Sequence, residues 1–194
     1  GTSAVRCAYL VSKAVLSGFT LTNGFTLSFG ITIPARCGGG AYLDGGGTLS
    51  NCVVVANQSS LYGGVFFIQG NVSVVNSLIV SNYATFFGGA AYLYDGGSVV
   101  HCTISDNRVV WYGGGIYCDY GGYVSNSIVY FNYASTYPNI RNYGGAATYG
   151  YVCSTPLVPG SGCITSSPLF MATNSFDYRL QYGSPCIDAG NNIV

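Results

Sequence analysis

The side chains of this sequence that could take part in acid–base chemistry are few. Its acidic residues are six aspartates, and glutamate is absent. Two carboxyl groups can cleave a glycosidic bond when they lie about 5–9.5 Å apart. Asp95 and Asp119 could reach that separation on neighbouring turns of a repeat, whereas Asp44 and Asp119 would lie about 14 Å apart on turns that are not adjacent. No column of arginine or lysine accompanies them to bind an acidic sugar, so we expect these aspartates to form turns.

Histidine and cysteine give little support for a catalytic or metal site. The single histidine, His101, falls in a predicted turn, and Asp106 stands nearby in the sequence. A catalytic base needs an orienting carboxylate or a nucleophile beside it, but Ser105-Asp106 is more simply a turn. There is no CxxC pair of the kind that binds zinc. We therefore predict no catalytic residue, no metal and no cofactor.

The eight cysteines divide into buried thiols and disulfide candidates. Cys52 and Cys102 share a column two turns apart, about 9.6 Å by strand spacing, which exceeds the Cα reach of a disulfide, about 7 Å. We expect these two, and Cys118, to be buried as small apolar side chains. At least one disulfide is expected near the C-terminus, where few neighbours hold the chain, and a second pair beside an inserted loop is left open. The candidates are Cys153, Cys163 and Cys186 for the first, and Cys7 and Cys37 for the second.

The elements that must position these residues come from a repeat of 25 residues. One column of the repeat is asparagine: Asn57, Asn82, Asn107 and Asn132. Glycine pairs recur in the same register, and two short segments in each period alternate as half-buried strands do. Stacked coils need such a fixed period because equivalent residues must lie on one another. The sequence predicts an all-β, right-handed, single-stranded parallel β-helix of about six coils.

The coils are predicted over residues 1–163, with an insertion loop within 25–36, and a capping segment over 164–194. Five apolar columns are expected to face inward. The first two are Ala41, Phe66, Ala91, Ile116 and Leu43, Ile68, Leu93, Cys118. The asparagine column is expected in a turn, with left-handed backbone and hydrogen bonds to its own backbone and to the next asparagine. Gly24 would hold that position in the first coil.

Aromatic residues form the most continuous outward pattern. One column lies between two inward columns and must therefore point outward: Tyr9, Tyr42, Phe67, Tyr92 and Tyr117. A second aromatic column, with a neighbouring tryptophan, contains Tyr62, Phe87, Tyr112 and Trp111. The outward column Val53, Leu78, Thr103, Ile128 is also largely apolar. Continuous apolar surface of this extent indicates a partner, so the aromatic residues are candidates for contacts with other subunits or with glycans.

Charge limits the choice of partners. Only 6% of the residues are charged, and the formal net charge is zero. Nucleic acid and anionic membrane surfaces both need a basic patch, and no apolar run is long enough to span a bilayer. A chain with so few charges tends to associate with itself.

The motifs resemble a known family. Residues 38–137 carry starts such as Gly39-Gly40-Ala41-Tyr42 and ends such as Val54 to Asn57, and the C-terminal part contains Gly183-Ser184-Pro185-Cys186-Ile187-Asp188-Ala189-Gly190-Asn191. This pattern resembles bacterial parallel β-helix surface proteins of the choice-of-anchor Q type. More loosely it is similar to the repeats of polymorphic outer membrane proteins, which have Phe-x-x-Asn ends. The resemblance implies export to the cell surface, and a C-terminal ending that closes the helix ahead of a sorting tail.

Three functions are compatible with these observations. The first is a secreted or cell-surface structural protein that packs against copies of itself or other surface components, as a filament, matrix or surface layer. The alternative is a glycan-binding adhesin, since aromatic rings at strand spacing can stack on sugars. A polysaccharide lyase or hydrolase ranks third, because it depends on Asp95 and Asp119 alone.

Overall fold

The computed structural model describes residues 4–28, 32–68 and 72–192, with the backbone only for residues 66–68. The described residues form short β-strands and almost no helix. The strands are β1 Ala8–Leu10, β2 Val15–Ser17, β3 Thr20–Thr22, β4 Ala41–Asp44, β5 Thr48–Ser50, β6 Val53–Val55, β7 Gln58–Ser59, β8 Val65–Ile68, β9 Ser73–Val75, β10 Leu78–Val80, β11 Tyr83–Ala84, β12 Ala91–Tyr94, β13 Ser98–Val100, β14 Thr103–Ser105, β15 Arg108–Val109, β16 Ile116–Asp119, β17 Tyr123–Tyr130, β18 Ile140–Tyr143, β19 Thr148–Ser154, β20 Gly160–Ser161, β21 Phe170–Ala172 and β22 Asp177–Leu180. One α-helical turn, α1 (Ile33–Arg36), falls in the interval predicted to hold the insertion, and a 3-10 turn spans Thr173–Ser175.

The strands stack in parallel, so the predicted β-solenoid is confirmed. The first sheet has the order β1-β4-β8-β12-β16-β18, and a second, folded sheet runs from β2 through β17 to β3. A short third sheet contains β7, β11 and β15. About four turns are regular, fewer than the six expected. The first turn reaches the third sheet only through the bridge of Phe25 to Gln58, and the period of 25 breaks after Asn132.

The core of the stack is a set of ladders of equivalent residues. Ile79 pairs with Val54 on one side and with Ile104 on the other. The inward columns of the regular turns are fully buried at Val54, Ile79, Ile104, Val129 and at Leu49, Val74, Val99, Val124. Each large apolar side chain buried in this way contributes about 1.5–3 kcal/mol. Because a single turn cannot bury its own inward face, these ladders hold the turns together.

One strand has a register that differs from the prediction. Val65 lies between Ala41 and Ala91, and Phe66 therefore pairs with Tyr42 and Tyr92. The predicted columns, with Phe66 beside Ala41 and Phe67 beside Tyr42, are wrong by one residue in this turn. The reason is that the segment leading into this strand is one residue shorter. Gly64 alone separates Gly63 from Val65, whereas Gly89 and Ala90 separate Gly88 from Ala91. A shift of one residue exchanges the two faces of a strand. The side chain of Phe67, a predicted contact residue, lies outside the described residues.

The asparagine column forms a continuous hydrogen-bonded ladder. The Nδ2 atoms of Asn57, Asn82 and Asn107 each donate to the Oδ1 atom of the next asparagine, at 2.9–3.0 Å. Asn132 donates to Asn139, only seven residues further along the chain. At the other end, Gly24 donates its backbone N–H to Asn57 Oδ1 at 2.8 Å.

The asparagines had been expected to have left-handed backbone, and this expectation is wrong. The left-handed residues of this corner are those that directly precede Gly24 and the asparagines: Asn23, Ala56, Ser81, Asp106 and Phe131, with φ between 56° and 57°. The preceding residue reverses the chain, and the asparagine side chain can then bind carbonyl groups inside the corner. Asn82 Nδ2, for example, donates to the carbonyl oxygen of Val80 at 3.1 Å.

The C-terminal segment lies along the side of the stack. Strands β21 and β22 form an antiparallel hairpin. Tyr178 donates a hydrogen bond to Asp106 Oδ2 at 2.9 Å, and Asn126 and Asn191 exchange two hydrogen bonds at 2.8 and 3.0 Å. Val80 and Ser105, which point away from the core, are fully buried. Part of the outward face of β10 and β14 is thus covered by the chain itself.

Candidate functional site

Stacked aromatic rings line the outside of the first sheet. Tyr9 stacks on Tyr42 with ring centroids 5.1 Å apart, and Tyr92 stacks on Tyr117 at 5.2 Å with an interplanar angle of 5°. The strands of a parallel stack place equivalent residues about 4.8 Å apart, which is close to the preferred spacing of stacked rings. The strand register therefore produces the stacking directly.

The second aromatic column folds over the first. Tyr62 stacks on Tyr92 at 4.5 Å, and Phe87 stacks on Tyr117 at 4.7 Å. As a result Tyr42, Tyr92 and Tyr117 are only 0%, 4% and 5% exposed. Their expected role as contact residues is wrong, because a ring buried under a second layer cannot meet a partner. They form a second, outer core instead.

Arginine side chains lie at both ends of this aromatic layer. The Arg6 guanidinium lies 4.9 Å from the centre of the Tyr42 ring, and the Arg141 guanidinium lies 4.1 Å from that of Tyr137. A cation over a ring face is attracted by the ring quadrupole. Arg6 also donates to the carbonyl oxygens of Gly38 and Cys37, at 2.9 and 2.7 Å. These two cations therefore stabilise the layer.

The two aspartates considered for catalysis lie in different environments. Asp119 is buried, and its Oδ2 accepts a hydrogen bond from the hydroxyl group of Tyr92 at 2.5 Å. Burial, with this bond, raises the pKa of Tyr92. Asp95 lies on an exposed turn with φ 57°. A carboxyl group covered by the aromatic layer cannot reach a polysaccharide together with an exposed one, so this arrangement gives no support to a glycosidase-like pair.

One exposed aromatic surface lies at the third sheet and its turns. Trp111 and Tyr112 are exposed, and Trp111 meets Phe86 edge-on at 5.5 Å. Beside them Tyr83, Arg108 and Tyr133 are neighbours on successive turns. They line an open groove of about 700 Å³. Arg108 is exposed, and among the described residues it makes no ion pair.

This groove was not found from the sequence. Tyr83, Arg108 and Tyr133 stand 25 residues apart, and they form a column next to the asparagine ladder. That spacing was a usable signal, but the column mixes residue types. It therefore stands out less in the sequence than the purely aromatic columns do.

No disulfide joins the eight cysteines, all of which lie within the described residues. Cys52, Cys102 and Cys118 are buried in the core. Cys7 and Cys37 do not pair because they belong to different environments. The Cys7 thiol donates to Thr22 O at the asparagine corner, whereas Cys37 packs with the tyrosine cluster. Burial raises the pKa of Cys37 to about 12.

The C-terminal cysteines separate into one contact pair and one single thiol. Cys163 packs against the main core. Cys153 and Cys186 line one cleft of about 330 Å³ between the last turns and the C-terminal segment. His101 lines the same cleft, from a turn where its φ is 54°. Asn51, Asn76 and Asn126 occupy its column with φ of 46–51°, as the prediction of a turn requires.

Neither a metal cluster nor a membrane-spanning helix is found in the part of the chain that the structure describes. Within the described ranges, no three His, Cys, Asp or Glu side chains come together as a metal site would need. None of the described helices has the length and hydrophobicity to cross a bilayer. Comparisons of the chain with family models, with curated proteins and with solved structures give no match.

Proposed function

We propose that this protein is a structural subunit of the cell exterior, and that its solenoids stack end to end through the first turn. The observation that carries the proposal is the exposure of that turn. Strands β1, β2 and β3 stand at the ends of their sheets and have no strand neighbour on their outer side among the described residues. An unpaired strand edge is a template for another chain.

The first turn also exposes apolar side chains at positions that are buried in the next turn. Phe19 is 56% exposed, whereas Cys52, its equivalent one turn on, is 2% exposed. Val15 is 66% exposed, and Leu16 is only partly buried against the core. Phe19 stands in the column of the buried Cys52, and it is exposed because no described turn lies on its outer side. A second copy placed there would continue the core ladders.

The partner edge lies at the opposite end of the first sheet. Strand β18 is the last in the order and pairs only with β16 among the described strands. Contact between the first turn of one copy and the β18 edge of another is heterologous, and repetition of such a contact gives an open filament. The zero net charge of the chain removes the repulsion that would oppose it. Location at the surface belongs to the same proposal and is supported by the resemblance of the motifs.

The test is the mass of the chain in solution as its concentration rises. We expect light scattering and electron microscopy to detect oligomers or filaments for the wild type. The double variant Val15→Lys/Phe19→Lys should remain monomeric, since edge charges block strand addition. Tyr182→Lys is the matched control, because Tyr182 is 103% exposed and belongs to the C-terminal segment. A wild type that stays monomeric at high concentration, or filaments that survive the double substitution, would refute end-to-end stacking.

Glycan binding is the second candidate, and the groove of Tyr83, Arg108 and Tyr133 favours it. Tyrosine rings can stack on sugars, and an arginine between them can form a bidentate bond to a carboxylate. The groove therefore suits a glycan that contains acidic sugars. On a glycan array we expect Arg108→Gln to abolish binding to acidic glycans and Tyr133→Ala to weaken it. Tyr182→Ala should leave it unchanged, and an array without acidic hits would remove this function.

A further inference from the structure

The C-terminal segment meets the stack at two cysteines that lie far apart in the sequence. Cys153 is in β19 and is 3% exposed. Its thiol donates to Ser166 O at 3.2 Å. Cys186 follows the hairpin of β21 and β22, and it lies five residues before Asn191, whose backbone is bound by Asn126. The segment thus returns to the stack at this point and is fixed on both sides of Cys186.

The two thiols face one cleft and are polarised unequally. The hydrogen bond between them lowers the pKa of Cys186 and, together with burial, raises that of Cys153. The Ser184 hydroxyl donates to Pro168 O at 2.6 Å and accepts the backbone N–H of Cys186 at 3.2 Å, which holds the backbone beside this thiol. Cys186 is partly exposed, so an external reagent can reach it. A partly exposed thiol of lowered pKa is the reactive partner in thiol–disulfide exchange.

We propose that Cys153 and Cys186 form a disulfide that fastens the C-terminal segment to the side of the solenoid. The pair is selective among the cysteines nearby. Cys102 lines the same cleft but is 2% exposed and donates to the carbonyl oxygens of Val74 and Val100. Burial raises its pKa to about 12, so it stays a thiol. Cys163 packs inward against the core.

The oxidant is a low-molecular-weight disulfide, which accepts two electrons. The Cys186 thiolate attacks one of its sulfur atoms, forms a mixed disulfide and releases one small thiolate. Cys153 then loses its proton, and its sulfur attacks Cys186 Sγ and releases the second small thiolate. The protein loses two hydrogen atoms, and one small disulfide becomes two small thiols. Geometry favours the second step, because Cys153 lines the same cleft as Cys186.

The bond has a consequence for the outer face of the stack. The hairpin between the two cysteines carries Tyr178, which binds Asp106, and it covers the face on which Val80 and Ser105 lie. When the bond is reduced, only non-covalent contacts hold the hairpin there. Oxidation therefore locks this apolar face against other contacts. The disulfide does not depend on the filament, which uses the first turn.

The chain contains a convenient reporter. Trypsin cleaves after Arg141 and Arg179, so Cys153 lies in peptide 142–179 and Cys186 in the peptide that begins at Leu180. After treatment with oxidised glutathione we expect these peptides to remain linked until reduced. The titratable thiols of the denatured chain should fall from eight to six. Oxidation should also raise Tm.

Three variants make the result decisive. Cys153→Ser and Cys186→Ser should each abolish the linked peptides, and Cys153→Ser should accumulate a glutathione adduct on Cys186. Cys163→Ser should keep the link, which distinguishes Cys153 from Cys163 within the same peptide. Circular dichroism establishes that each variant is folded. Unlinked peptides in the oxidised wild type, a stable glutathione adduct there, or loss of the link in Cys163→Ser would overturn the proposal.

Discussion

The side-chain amide of Asn82 donates a hydrogen bond to Asn107 Oδ1 at 2.9 Å, although the two residues are 25 positions apart. The same oxygen accepts the backbone N–H of Asn82, also at 2.9 Å. Each asparagine therefore satisfies two donors of the preceding turn and uses its own donors on the carbonyl groups around it. The ladder fixes the height and the rotation of each turn relative to the next.

Removal of one member should be costly. In the wild type the backbone N–H of Asn57 donates to Asn82 Oδ1 at 3.0 Å. Asn82→Ala removes this acceptor and leaves the N–H unsatisfied in a buried corner. An unsatisfied buried group costs about 1–3 kcal/mol, and several bonds are lost together, so we expect about 2–4 kcal/mol by urea unfolding. Asn174 is exposed, and Asn174→Ala should change stability by less than about 0.5 kcal/mol. Equal effects of the two variants would show that the ladder does not stabilise the fold.

The register of the core is tested by two neighbouring positions. Ile104 is fully buried between Ile79 and Val129, whereas Thr103 is partly exposed on the outer face. Ile104→Asp places an unpaired carboxylate in an apolar stack, which costs several kcal/mol even after its pKa shifts. Thr103→Asp should be mild. Thermal melts of the two monomeric variants give the comparison. A larger decrease in Tm for Thr103→Asp would mean that the inward and outward residues of this strand are assigned wrongly.

The sequence was sufficient for the stack because the fold repeats one physical requirement in every turn. Asn57, Asn82, Asn107 and Asn132 must bind one another, and that requirement is visible as a fixed step. The same logic located the inward ladders from Leu49 to Val124. It failed at β8, where the segment before Val65 is one residue shorter than in the other turns. The strand register shifts there by one residue, and the fixed spacing of 25 does not show this shift.

What the repeat could not predict is how different layers cover one another. Tyr92 points out of the core, as strand alternation requires, but it is buried because Tyr62 from another part of the turn lies over it. Likewise the C-terminal hairpin, which is not part of the repeat, returns to cover Val80. Such contacts depend on the paths of turns and of the C-terminal segment, and no periodicity encodes these paths.

The tyrosine layer makes a prediction about alkaline stability. Burial raises the pKa of Tyr117 to about 12, against about 10 in an unfolded chain. Between these values the unfolded chain loses the proton while the folded protein keeps it, so stability falls as the pH rises from about 10 to about 12. Burial raises the pKa of Tyr42 and Tyr92 in the same direction. We expect the chain to unfold in this range. The buried thiols of Cys37 and Cys102, whose pKa burial raises to about 12, begin the loss of stability at lower pH, from about 8.5.

Replacement of one hydroxyl group tests the cause. Tyr117→Phe keeps the ring stack and removes the ionisable group, so its unfolding midpoint in an alkaline titration should move to higher pH. Tyrosine absorbance and circular dichroism, recorded together, should show ionisation and unfolding as one transition. Tyr182→Phe, at a fully exposed ring, should leave the midpoint unchanged. If Tyr117→Phe also leaves it unchanged, ionisation of the buried layer is not what unfolds the protein.

Close approach of the backbone between turns can be tested at a single glycine. A Cβ atom on Gly89 would lie 2.3 Å from the carbonyl oxygen of Gly114 and 2.9 Å from that of Arg108. Both are backbone atoms of the stack and cannot rotate away, so Gly89→Ala must push two turns apart. We expect a loss of at least about 1–3 kcal/mol, the usual cost of overpacking.

Gly150 is the matched control, because it lies in β19 and a Cβ atom added to it would have no neighbour within 4 Å. Gly150→Ala should be neutral or slightly stabilising, since it restricts the unfolded chain. Urea unfolding of both variants gives the comparison, and a Gly89→Ala protein as stable as Gly150→Ala would mean that the turns are packed less closely at this corner.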